Sequence, residues 1–174
     1  EASTGMPFEI EHIKGVMHKV KYKDLIGYAF SGFLSPVSVH QKDEPIEDYI
    51  ERLKTDFPEL NFESKSNNPD FHEGITDTFS LPTTTWHETF YLVSAIYDMP
   101  NKINFPNPVG ENQTTFEDPD KPKDVWDSFM TVTRKTNQLQ KIEYAYRAEG
   151  FGSNIQITQN KKGIFEVEYL AFVD

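Results

Sequence analysis

Apolar and polar residues alternate most regularly near the C-terminal end of the chain. Ile155 and Ile157 are separated by polar neighbours, and Phe165, Val167 and Tyr169 repeat the pattern through Val173. A period of two puts such residues on one face of a strand. Between the two runs, Asn160-Lys161-Lys162-Gly163 supplies turn residues, with glycine where positive φ is needed, and the segment reads as a β-hairpin. Upstream, Ile142, Tyr144 and Tyr146 share one face and Glu143, Ala145 and Arg147 the other, before Gly150-Phe151-Gly152 breaks the run. The pattern predicts three consecutive antiparallel strands.

Nearer the N-terminus, Tyr22, Ile26, Tyr28, Phe30 and Leu34 fall at even spacing from Val20, and Gly27 and Gly32 suggest a bulge or bend, so one long strand or two short ones are expected. Thr76 to Leu81 and Trp86 to Tyr97 read as two more extended runs around Pro82, the second apolar on both faces like a buried central strand. The strong helical signal lies at 44–57. Asp43 or Glu44 stands near the cap, Pro45 in the first turn, and Ile46, Tyr49, Ile50, Leu53 and Phe57 at three- and four-residue spacing before Pro58.

A second, short helix is expected near 124–131, where Val125, Phe129 and Val132 have helical spacing, running into a strand at Thr131-Val132-Thr133. Between Asp98 and Lys123, five prolines and four asparagines mark an irregular segment too long for an ordinary connection. The expected fold is mainly β with α+β character: an antiparallel barrel or sandwich of about six to eight strands, residues 1–174 forming a single domain.

Composition narrows the partners. Aromatic residues make up 14% of the chain, which suits half-buried strand surfaces. The net charge of −11 repels phosphate backbones and anionic headgroups, so nucleic acid and membrane surfaces are not expected partners. With no cysteine, a thiolate metal site, a disulfide scaffold and a cysteine nucleophile are all excluded. No apolar run reaches the length of a membrane span. The chain reads as soluble, and its start at Glu1 fits either export with signal-peptide removal or an added leader up to Met6.

Chemistry is sparsely signalled. His72-Glu73 and His87-Glu88 each join a near-neutral base to a carboxylate and are the best local candidates for acid–base work, although on strands neighbouring side chains point to opposite faces. Surface or sheet-edge histidines bonded locally are the plainer interpretation. Asp118, Asp120 and Asp124 gather oxygen ligands of the kind Ca²⁺ takes, but Pro119 and Pro122 interrupt them and the spacing matches no EF-hand, so no metal and no cofactor is expected. Asn112-Gln113-Thr114 is an N-glycosylation sequon, meaningful only in a secreted eukaryotic protein.

Trp86, Trp126, Tyr97 and Tyr144 are the candidate ligand-contacting aromatics, offering flat faces and polar handles. Together these features favour a non-catalytic binding scaffold for a small molecule, carbohydrate or protein. A self-assembling structural subunit of a virion, tube or secretion apparatus, hence a homo-oligomer, is the first alternative. A hydrolase or lyase using His72 or His87 with Glu73 or Glu88 is the second.

Overall fold

The computed structural model of the chain describes residues 7–66 and 74–173. In order they form β1 (Phe8–Ile10), β2 (Ile13–Gly15), β3 (Met17–Tyr22), β4 (Leu25–Phe30), α1 (Ile46–Leu53), β5 (Phe62–Ser66), β6 (Gly74–Leu81) and α2 (Trp86–Ile96). Then follow β7 (Gln113–Glu117), β8 (Val125–Lys135), β9 (Gln138–Ala148), β10 (Phe151–Gln159) and β11 (Phe165–Phe172). Seven strands build one antiparallel sheet in the order β5-β6-β11-β10-β9-β8-β7, while β1-β2 and β3-β4 are separate ribbons. The sheet stays open, with β5 and β7 as edges, so the mainly β fold is layered like a sandwich and is not a closed barrel.

Local sequence explains the meander from β8 to β11. Thr136 and Asn137, at φ 53° and 57°, make the two-residue turn between β8 and β9, where a pair of positive φ values matches the twist of the strands. Gly150, at φ 72°, turns β9 into β10. One face of the resulting sheet is apolar. Met130, Val132, Ile142, Ile155, Ile157, Phe165, Val167, Phe79 and Leu81 are buried on it, in one core with Tyr49, Ile50 and Leu53 of α1 and Phe90, Leu92 and Val93 of α2. The opposite face keeps Thr131, Glu143, Gln156 and Glu168 in a cross-strand row that no helix residue covers in that core.

Three expectations are corrected. The run from Trp86 to Tyr97 is a helix, not a central strand: Thr85 caps it, its side chain accepting from Glu88 N–H at 3.4 Å, while the Glu88 carboxylate accepts from Thr84 N–H at 3.1 Å. That reciprocal arrangement is a capping box in all but one residue. The second helix is therefore at Trp86–Ile96, and 124–131 lies in strand β8 instead. A register shift between Val125 and Asp127 displaces the apolar phase by one residue, and the displaced spacing imitates a helix. The irregular segment 98–123 is not continuous, because β7 (Gln113–Glu117) interrupts its second half. Its first half is packed down by buried Met99, Ile103 and Phe105.

Helix α1 occupies the core of the predicted 44–57 interval, with Pro45 at its N-cap. Glu44, just outside, takes Arg52 in a two-pronged bond, Nε to Oε1 at 2.9 Å and Nη2 to Oε2 at 2.8 Å. The guanidinium holds the Glu44 pKa down to about 2. A depressed carboxylate pKa adds stability that is complete above the ordinary value and lost as pH falls toward the folded one. Thermal melts should therefore fall between about pH 5 and pH 2, and Glu44→Gln should remove part of that fall, leaving a flatter profile. An identical acid limb in both proteins would contradict this role for the pair.

Candidate functional site

The apolar face of the sheet changes character toward one end. On β6 the inward row runs Leu81, Phe79, Asp77, and on β11 the facing row runs Phe165, Val167, Tyr169. Asp77, 8% exposed, thus stands directly opposite Tyr169 at the edge of the hydrocarbon core. Tyr97, the C-cap of α2, stacks on Tyr169 with ring centroids 4.2 Å apart and an interplanar angle of 18°. Tyr144 and Tyr146 of β9 and Phe151 and Ser153 of β10 extend the same wall.

Tyr97, Tyr169, Tyr144, Tyr146, Phe151 and Ser153 line an open cleft of about 470 Å³ together with Asp98, Pro100, Asp118 and Pro122, and Asp77 stands next to its wall, across from Tyr169. The volume suits a small organic ligand. Its floor is hydrogen-bonded in series. The Tyr144 hydroxyl lies 2.9 Å from Ser128 Oγ, which donates to Asp118 Oδ2 at 3.1 Å, and Asp118 Oδ1 accepts from Asp120 N–H at 3.0 Å. The Tyr97 hydroxyl is different: it is buried and has no hydrogen-bond partner among the described residues. A buried hydroxyl left in that state costs roughly 1–3 kcal/mol.

Electrostatics reinforce the contrast. Burial, then the Asp77 carboxylate and Tyr169, push the Tyr97 pKa far above the ordinary phenol value. Tyr169 is raised by burial and by Asp77. Burial also raises Tyr144 and outweighs the opposing hydrogen bond from Ser128. All three stay neutral hydroxyls at physiological pH. Among the described residues no lysine or arginine lines the cleft, whereas Asp98 and Asp118 do. The cleft also lies at the C-terminal end of α2, where the helix dipole favours positive charge.

Of the residues singled out from sequence, Tyr97 and Tyr144 meet in this cleft. Trp86 does not: its ring packs edge-on against Phe165, 5.1 Å between centroids. Trp126 is exposed on β8, with its carbonyl accepting from Lys121 Nζ at 2.6 Å. His87 and Glu88 open α2 on adjacent helical positions, and the strand geometry expected for them does not apply. Both Glu88 oxygens accept hydrogen bonds, from Ser35 Oγ at 2.6 Å and Thr84 N–H. Burial lowers the His87 pKa, and its ring packs on Phe105 at 5.9 Å. His72 and Glu73 lie outside the described residues.

Asp118 belongs to the cleft, Asp120 lies 3.8 Å from Lys102 Nζ, and Asp124 is exposed. Among the described residues no three histidine or acidic side chains converge as metal ligands. Asn112 is exposed at the entry to β7. The sequence reading missed Asp77, Ser128 and Tyr169. Asp77 left a visible trace, a carboxylate interrupting the apolar row Asp77, Phe79, Leu81.

No family model matches this chain, and no curated protein or solved structure is similar to it. No helix among the described residues is long and apolar enough to cross a membrane.

Proposed function

We propose that the chain is a non-catalytic binding domain whose cleft at Tyr97 takes a small organic cation, an ammonium or guanidinium. The observation that carries the reading is the buried Tyr97 hydroxyl, which among the described residues has no partner and stands among tyrosine rings and carboxylates with no basic side chain in the wall. Aromatic faces attract cations by their quadrupole, by about 2 kcal/mol when the site is dry. A neutral sugar would find the same rings and hydroxyls. Asp77 and Asp118, however, are already almost stripped of water, and a sugar would leave their charge uncompensated where a cation would offset it.

A catalytic reading has less support at this cleft. Of the two buried serines in the wall, Ser128 is bonded to Tyr144 and Asp118, and among the described residues no histidine or lysine lines the cleft to activate either Ser128 or Ser153. The test is a calorimetric panel of ethanolamine, choline and agmatine against glucose and acetate. At least one cation should bind, with glucose and acetate silent. Binding of glucose or acetate with no response to any cation would overturn the assignment.

A further inference from the structure

Strands β3 and β4 pair only with each other, and their ribbon is apolar on surfaces that the fold leaves open. Leu25 is 74% exposed and Tyr22 69%, with Ile26 and Tyr28 also exposed. On one face Lys19 stands across from Tyr28 and Lys21 across from Ile26; on the other, Tyr22 stands across from Leu25 and Val20 across from Gly27. A two-stranded ribbon alone is marginal in water, and contiguous exposed apolar surface marks an interaction site. Its root is fixed. The Phe30 ring is buried so tightly against Gly15 and Gly32 that a Cβ at either would stand 2.6 or 2.5 Å from it.

Charge identifies what covers the ribbon. Lys14, Lys19, Lys21 and Lys23 face a single acid, Asp24, between positions 13 and 30, on a chain of net charge −11. The remainder of the same chain is therefore the complementary surface. Within it, the helix-free face of the seven-stranded sheet holds a hollow of about 370 Å³ lined by Phe129, Leu170, Glu143 and Glu168. Glu143 is paired with Lys141 at 2.9 Å, whereas Glu168 makes no ion pair among the described residues.

We propose that the β3-β4 ribbon of one copy docks on this open sheet face of a second copy. Lys19 and Lys21 meet Glu168, and the apolar tip fills the hollow beside Phe129 and Leu170. The contact joins two different surfaces, so copies either exchange ribbons in a closed ring or propagate as a chain. It is independent of the cleft, and its failure leaves the ligand reading untouched.

Sedimentation of the full chain over a wide concentration range, at low and high salt, tests the docking. The wild-type mass should rise with concentration and fall back with salt, because the lysine contacts are screened. The double variant K21E/I26S should stay monomeric with an unchanged melting temperature, since both side chains are exposed in the monomer. Adding E168K to K21E should restore part of the association, a readout that misfolding would not give. A wild type that remains monomeric throughout overturns the proposal. So does a double variant that assembles like wild type, or a monomer whose ribbon binds anionic phospholipid vesicles instead.

Discussion

Replacing Arg134 with Ala is expected to lower the unfolding free energy by roughly 3 kcal/mol, the largest stability loss of any polar substitution argued from this structure. The side chain is 4% exposed on β8 and its hydrogen bonds all reach neutral oxygens. Nε and Nη2 donate to the Asn107 carbonyl at 3.0 and 2.6 Å, and Nη1 to the Glu111 carbonyl at 3.0 Å and Thr114 Oγ1 at 2.8 Å. One guanidinium thus ties the segment after α2 to the edge of the sheet. Burial lowers its pKa, so the bonds offset a desolvation cost instead of adding to an ion pair.

Alanine leaves those acceptors without their donor, and the segment that carries Asp98 and Pro100 at the cleft rim should loosen with them. Urea denaturation should show the lower midpoint, and limited proteolysis should open new cuts between 98 and 112. Lysine should rescue little, because an ammonium cannot reproduce the fork. An Arg134→Ala protein that melts within a degree of wild type would remove Arg134 from this role.

Replacing Asp77 with Asn is expected to weaken cation binding by about 10- to 100-fold, each tenfold step being about 1.4 kcal/mol, while leaving the fold as stable as before or more so. The two signs come from one cause. The Asp77 carboxylate is nearly buried next to the cleft wall, close enough to raise the pKa of Tyr97 and Tyr169, which is unfavourable for an uncompensated charge; a cation bound at Tyr97 would offset it. Binding sites commonly hold groups that the fold alone would not select. Calorimetry and thermal melts on the same variant give both signs. Loss of stability with unchanged affinity would place Asp77 in the scaffold and not in recognition.

How much of this was legible in sequence depended on whether one periodicity dominated. In β9, β10 and β11 one face meets the core and the other is polar, so the alternation at Ile142, Tyr144, Ile155, Ile157, Phe165 and Val167 gave the strands directly. Helix α2 is apolar around much of its circumference, with Phe90, Leu92 and Val93 all buried, and periodicity alone could not separate it from a central strand. Thr85 followed by Glu88 was the decisive cue, a cap at the correct spacing. In β8 the shift after Val125 scrambled the phase. Gly27 sits in regular β4 pairing with Val20 and makes no bulge, whereas Gly32 lies in the tight turn Ser31–Phe33 that ends β4, the expected bend, packed closely against Phe30.

The cleft was half legible for a similar reason. Tyr97 and Tyr144 stood out by residue type, but their convergence needs β6 to pair with β11 across helix α2 and the whole meander, a long-range pairing that no local pattern encodes. The tryptophans drew attention by their flat faces and their charged neighbours in sequence. Trp86 packs half-buried against the core at Phe165 and Trp126 faces solvent, so neither joins the tyrosines.

The central claim is that the cleft selects positive charge, and the most direct measurement compares choline with 3,3-dimethylbutan-1-ol, its uncharged isostere of equal shape. Amide chemical shifts recorded during each titration report both affinity and position. Choline should move the signals of Tyr97, Ser128, Ser153 and Tyr169 and bind at least about tenfold more tightly than the neutral alcohol. Equal affinities, or shifts confined to residues away from the cleft, would contradict the account.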